Sequence, residues 1–163
     1  MRCENYPSPN YGERREGAQP GMIVIHYTGM KTAQDALDRM CDPAAEVSAH
    51  YMVDEDGTVY QLVDEGKRAW HAGASEWQGI SDVNSHSIGI ELVNPGHEWG
   101  YRAFPPEQME ALAQLCQDIM VRHEIRWVLG HADVAPGRKQ DPGELFDWQW
   151  LADNDIPNIH EKA

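Results

Sequence analysis

Basic residues are scarce in this chain. Lys and Arg total 13 against 27 Asp and Glu in 163 residues, a formal charge of −14. A phosphate backbone or an anionic membrane surface requires a basic patch, so neither nucleic acid nor a membrane is an expected partner. Cysteine is sparse too. Cys3, Cys41 and Cys116 show no CxxC spacing, which excludes a disulfide framework and a cysteine-based zinc site. No apolar run approaches the roughly 20 residues of a membrane span. The opening MRCENYPSPNYGERREG lacks the apolar core of a signal peptide, so a cytoplasmic address is the expectation. Nothing in the residues fixes an oligomeric state.

What is present describes one globular domain. Apolar residues make up 41% of the chain and include six Trp, enough to build a sizeable core. Residues 1–20, rich in Pro, Gly, Asn, Glu and Arg, read as an extended N-terminal arm, followed by a domain over 21–155 and a tail over 156–163. MIVIHYT (22–28) is a β-branched run too short for a helix, hence a buried strand. Thr32 and Asp35 form a capping box for a short helix, with Ala36, Leu37 and Met40 on its apolar side and Pro43 stopping it. SAHYMVDEDGTVYQLV (48–63) reads as a hairpin turning at Asp56-Gly57. HSIGIELVN (86–94) and RWVLG (126–130) are further strands, and Pro105-Pro106 introduces a helix to about Arg122. LFDWQWLA (145–152) closes the fold as a helix. Strands interleaved with helices and one hairpin give an α/β fold: a single domain with a central mixed sheet flanked by helices.

Several polar residues stand where an apolar core is expected. His26 ends the strand IVIHYT, and His131 follows the strand RWVLG directly. With Asp141 they supply two nitrogens and an oxygen of the kind Zn²⁺ accepts, three ligands leaving a fourth position open, as in catalytic sites. The alternative for either imidazole is a satisfied core histidine, and 105 residues separate the two, so only folding could unite them. Glu91 interrupts the apolar strand IGIELV, where Gly89 leaves room; it is either a partly desolvated general base or a residue on a solvated face. Lys139 either stabilises an oxyanion or is a solvated loop lysine. GHADVAPGRKQDPG (130–143), which holds His131, Asp133, Arg138, Lys139 and Asp141, is expected to be neither helix nor strand.

IVIHYT, VSAHYMV, DGTVYQLV, KRAWHAG, NSHSIGIELVN and GHADVAPGRKQDPG follow one another in that order. Together, from about residue 20 to 152, they resemble the zinc-dependent N-acetylmuramoyl-L-alanine amidases, relatives of phage lysozyme-like amidases and of peptidoglycan recognition proteins. PSPNYGERR in the arm resembles the start of the bacterial muropeptide-recycling members. The resemblance implies one Zn²⁺ held by His26, His131 and Asp141, with Glu91 as the catalytic carboxylate and Lys139 as the oxyanion-stabilising lysine. It implies a muropeptide or peptidoglycan substrate, with His71, Asn84 and Arg138 near its groove and His50 lining the cleft or merely packing. Trp70 and Trp77 are either substrate platforms or buried residues. Asp133 is expected to brace the turn, and His86, His97, His123 and His160 are left without a role.

Overall fold

The computed structural model describes residues 1–157, so His160 and most of the expected tail lie outside the described residues. In chain order the elements are β1 (Cys3–Asn5), β2 (Tyr11–Glu13), β3 (Met22–Tyr27), α1 (Ala33–Met40), β4 (Tyr51–Val53), β5 (Val59–Gln61), β6 (Lys67–Ala69), β7 (Ser87–Leu92), α2 (Gly96–Trp99), α3 (Pro106–Arg122), β8 (Trp127–Gly130), α4 (His131–Val134) and α5 (Trp148–Asp153). Six strands form one mixed sheet in the order β1-β5-β4-β7-β3-β8, and β2 pairs with β6 in a separate ribbon. β3 runs parallel to both β7 and β8, β4 runs parallel to β7, and only β4–β5 is antiparallel within the main sheet.

Alternation along the strands divides the sheet into two unlike faces. Ile23 and Ile25 of β3 and Ile88, Ile90 and Leu92 of β7 share one core with α3, whose Met109, Leu112, Leu115, Cys116 and Ile119 recur at helical spacing. The opposite face carries Met22, Val24 and His26 of β3 and Ser87, Gly89 and Glu91 of β7. Met22 and Val24 pack there with Ala72, Val83, Leu129 and Val134. The polar positions of β7 are therefore its second face.

Local signals explain most boundaries. Thr32 Oγ1 accepts from Asp35 N at 3.1 Å and opens α1. The hairpin is shorter than its sequence pattern: a turn over residues 54–58 closes it through Asp54 N to Thr58 O at 2.8 Å, with Gly57 at φ 90°. α5 starts at Trp148 rather than 145, because Asp147 Oδ1 caps it by accepting from Trp150 N at 2.9 Å. The segment after β8 differs from expectation. It contains one helical turn, α4, because Asp133 Oδ2 accepts from Gly130 N at 2.8 Å and ties the first turn to its own cap. Gly96–Trp99 form a further helical turn, α2.

The first twenty residues lie along the main body. β1 adds a parallel edge strand to β5, and β2 joins β6. Arg14 is buried and donates to the carbonyls of Glu65, Asn84 and Ser85 at 2.7–3.3 Å, and burial pushes its pKa down to about 10. Glu65 in turn accepts from Tyr51 Oη, from Arg122 Nε and Nη2 at 2.9 and 2.7 Å, and from His123 Nε2 at 2.8 Å. This joins the β5–β6 turn to β4 and to the end of α3.

Burial alone would raise the Glu65 carboxyl, but hydrogen bonds from Arg122, Tyr51 and His123 hold it down to about 2. Its contribution to stability is present above the unfolded value of about 4.5 and is lost as the pH falls toward 2. Glu65→Gln should cost on the order of 2 kcal/mol at pH 7 and flatten that acid-dependent loss, as read by denaturant unfolding across the range. Equal acid sensitivity in the two proteins would assign the loss to another group.

Candidate metal centre and catalytic cleft

Parallel pairing assembles the site. β3 and β7 set His26 opposite Glu91 in register, and Ile25 is paired with Gly130, the residue before His131. Three chemically reactive side chains thus reach the carboxyl ends of three adjacent parallel strands, where α/β sheets place their ligands. Asp141 arrives from the loop after α4, held by its own carbonyl accepting from Ala132 N at 3.0 Å.

His26 Nδ1, His131 Nδ1 and an Asp141 carboxylate oxygen converge. The two nitrogens are 2.9 Å apart, and Asp141 Oδ2 lies 3.3 Å from His26 and 3.2 Å from His131. All three residues are buried and offer atoms suited to holding a metal ion.

The hydrogen-bond partners of the three histidines decide where their ring protons sit. Ser87 Oγ donates its one hydrogen to Val83 O at 2.7 Å, so His71 Nε2, 2.9 Å from the same oxygen, must be the donor there. Burial, followed by the neighbouring His26, holds the His71 pKa well below its ordinary value, so the ring is neutral and its Nδ1 is a lone pair. That lone pair accepts from His26 Nε2 at 3.0 Å. Burial, with His131 next, pushes the His26 pKa down to about 4, so its Nδ1 is also a lone pair. His131 Nε2 lies 2.9 Å from Ala72 O, which can only accept; in the neutral imidazole Nδ1 is again the lone pair. With both rings neutral, two lone pairs and a carboxylate face one another with no proton between them, an arrangement that a cation satisfies. The outer nitrogen of each histidine is already held, as metal-ligating imidazoles require.

Glu91 Oε2 lies 3.4 Å from His26 Nδ1. Burial and then the Asp141 charge raise its pKa well above the usual carboxylate range. Burial would likewise raise Asp141, but the neighbouring His131 and His26 rings reverse this and hold it below that range. His26, Glu91, His131, Asp141, Arg138 and Lys139 all border one cleft of about 420 Å³, a size typical of small-molecule sites.

The remaining sequence candidates separate. His71 borders the cleft but acts on His26. Asn84 Oδ1 accepts from the His71 and Ala72 amides at 3.1 and 2.9 Å, so it holds the backbone that carries those partners. Arg138 donates to Ala72 O at 2.7 Å and to Ala74 O at 3.1 Å. His50 does not line the cleft. It is 0% exposed and packs behind the site, accepting from Gly89 N at 3.0 Å and facing Lys67 O at 2.8 Å. Trp77 packs edge-on against Trp127, while Trp70 borders an adjoining groove.

Sequence reasoning missed Ser87 as the end of the hydrogen-bonded row, and it misread what Gly89 makes room for. A Cβ at Gly89 would stand 2.4 Å from His71 Cγ, so the glycine accommodates the histidine that orients His26. Gly89→Ala should therefore weaken divalent-cation affinity about 10- to 100-fold, the usual cost of losing a ligand's outer partner. Gly66→Ala, where a Cβ meets nothing within 4 Å, should leave it unchanged. Chelator competition on both variants measures this, and equal affinities would break the link between Gly89 and the ligand.

Comparison with known proteins points to one family. The N-acetylmuramoyl-L-alanine amidase family matches residues 16–144. N-acetylmuramoyl-L-alanine amidase AmiD of Escherichia coli is 41% identical over 149 residues, covering 83% of this chain and 53% of its own, so the chain spans about half of that relative. The 1,6-anhydro-N-acetylmuramyl-L-alanine amidase AmpD of Citrobacter freundii is 33% identical over 96% of this chain and 91% of its own. A crystal structure of AmpD superposes with a TM-score of 0.84 at 32% identity, over 94% of each chain. E. coli AmiD, in complex with the substrate anhydro-N-acetylmuramic acid-L-Ala-D-γ-Glu-L-Lys, gives 0.76 at 38% identity over 89% of this chain and 65% of its own. With two thirds of its length and more matched in sequence and in fold, this chain belongs to the N-acetylmuramoyl-L-alanine amidase family.

Proposed function

We propose that this protein hydrolyses the amide between N-acetylmuramic acid, in its 1,6-anhydro form, and the L-alanine of peptidoglycan fragments. The observation that carries the reading is the convergence of His26, His131 and Asp141 beside Glu91 at one cleft wall. The relatives named for this amide bond, and AmiD seen with an anhydromuramyl peptide, supply the substrate class.

The donor set fits Zn²⁺. Ligands at the roughly 2.0–2.1 Å that zinc takes to nitrogen and oxygen would stand about 3.3 Å apart around a tetrahedral centre. The three donor atoms stand 2.9–3.3 Å apart. Zinc in such a three-ligand site supplies Lewis acidity, polarising a carbonyl and making water acidic near neutral pH. Glu91, acting as the carboxylate whose burial raises its affinity for a proton, takes the proton of the attacking water and passes it to the leaving amine of alanine. Lys139 borders the cleft and its charge acts on Glu91 and His26, which supports assigning its ammonium to the developing tetrahedral oxyanion. Arg138, braced on two carbonyls, keeps the Lys139 segment against the cleft wall.

Recycling of soluble wall fragments in the cytoplasm is the setting that fits best. Among the described residues no helix is long and apolar enough to cross a membrane. Cys3, Cys41 and Cys116 are free thiols, which suits a reducing compartment.

Assay of purified anhydromuramyl peptides with zinc quantified in the same sample tests the reading. Release of intact L-alanyl peptide, abolished by chelator and restored by zinc, is expected. Glu91→Gln should keep zinc and lose most turnover, and Lys139→Met should lose roughly 100- to 1000-fold in kcat. Near-normal turnover by zinc-loaded Glu91→Gln removes Glu91 from the proton-transfer role. Clearing of isolated sacculi at a rate matching that on soluble fragments would reassign the enzyme to the intact wall.

A further inference from the structure

An imidazole to which the sequence reading gave no role lies at the rim of the cleft. α2 opens on Gly96 at φ 75° and is followed by Gly100 at φ 123°, and His97 and Tyr101, from the two ends of this tight path, meet the loop over residues 141–145. His97 stacks on Tyr101 with ring centres 4.1 Å apart. Its Nε2 lies 2.8 Å from a Glu144 carboxylate oxygen, and its Nδ1 lies 2.8 Å from Tyr27 Oη. A carboxylate only accepts, so Nε2 carries a hydrogen, and in the neutral ring Nδ1 accepts from the Tyr27 hydroxyl.

Tyr101 completes the contact. Its hydroxyl donates to Pro142 O at 2.6 Å and accepts from Leu145 N at 3.0 Å. Gly143 fits beneath the pair with no space to spare: a Cβ there would stand 2.3 Å from Tyr101 Oη and 2.8 Å from His97 Cε1.

The chain positions of these partners give the contacts their meaning. Tyr27 directly follows His26, and residues 142–145 directly follow Asp141. On its other side the Asp141 loop is held to α4 by Ala132 N donating to Asp141 O. Two of the three candidate metal ligands are thus flanked by residues that one side chain, His97, joins to each other.

We propose that His97 is a positioning residue of the metal centre, fixing the separation of His26 and Asp141 by bonding Tyr27, next to His26, and Glu144, three residues after Asp141. The inference rests on the zinc reading of that site. It assigns His97 no contact with substrate.

The test reads zinc affinity, not turnover. Competition of wild type and variants against a fluorescent chelator gives the zinc Kd, and melting of the zinc-free proteins reports the fold. His97→Ala should weaken zinc about 10- to 100-fold while the zinc-free protein melts within a few degrees of wild type. His97→Gln, which keeps a donor for Glu144, should recover part of the loss. A His97→Ala Kd within about twofold of wild type overturns the proposal. So does a loss equal in the two variants and matched by a fall in zinc-free Tm, which marks a merely structural role. If His97→Ala does not fold, Tyr27→Phe and Tyr101→Phe each remove a single oxygen, and unchanged zinc affinity in both overturns it. A wild type that binds no zinc overturns the zinc reading itself, which keeps the two failures apart.

Discussion

The site depends on one constraint: the proton on each imidazole is committed away from the centre. His71 and Ser87 fix the hydrogen of His26 on Nε2, and the Ala72 carbonyl fixes that of His131 on its Nε2. The two inner nitrogens and the Asp141 carboxylate are left as three acceptors about 3 Å apart. Such a cluster is unfavourable without a positive charge, since buried acceptors without donors cost free energy. The surrounding structure therefore prepares the centre for a cation before one arrives, which lowers the reorganisation that binding requires.

The two-faced sheet makes this possible. One face of β3 and β7 is apolar and packs on α3, which keeps the strands rigid and in register. The other face is free to carry His26, Ser87, Gly89 and Glu91. A strand that is apolar on one side only would ordinarily present its polar side to water. Here the segment around His71 and Ala72 covers that side, so the polar groups become buried and mutually dependent. Stability resides on one face and chemistry on the other, and the same six-residue strand serves both.

Much of this was legible in the residues. Strand-ending histidines, the long helix behind two prolines and the Asp-Gly hairpin all carry local signals, and the resemblance grouped His26, His131 and Asp141 before any fold was available. What stayed hidden was set by tertiary contact. Glu91 was balanced between a general base and a solvated residue because alternation cannot say what covers a strand's second face. Gly89 announced space but not its occupant. The arm's Pro and Gly content suggested an extended path, and nothing local marked Arg14 for burial or Cys3–Asn5 for an edge strand. His50 has the same residue type as the ligands yet packs behind them, because its partners are the Gly89 amide, the Lys67 carbonyl and the Arg14 guanidinium rather than acceptors sharing a cation.

The Ala72 carbonyl has a consequence of a different kind. It receives both His131 Nε2 and Arg138 Nη2, so the orientation of one ligand is written into main chain rather than side chain. His26 is oriented instead through His71 and Ser87, two side chains that a single codon change can erase. The two halves of the centre therefore differ in how they tolerate sequence drift. The identity of residue 72 can change without removing the oxygen that holds His131, whereas the His26 half must keep its neighbours or find others that place the same hydrogen on the same nitrogen.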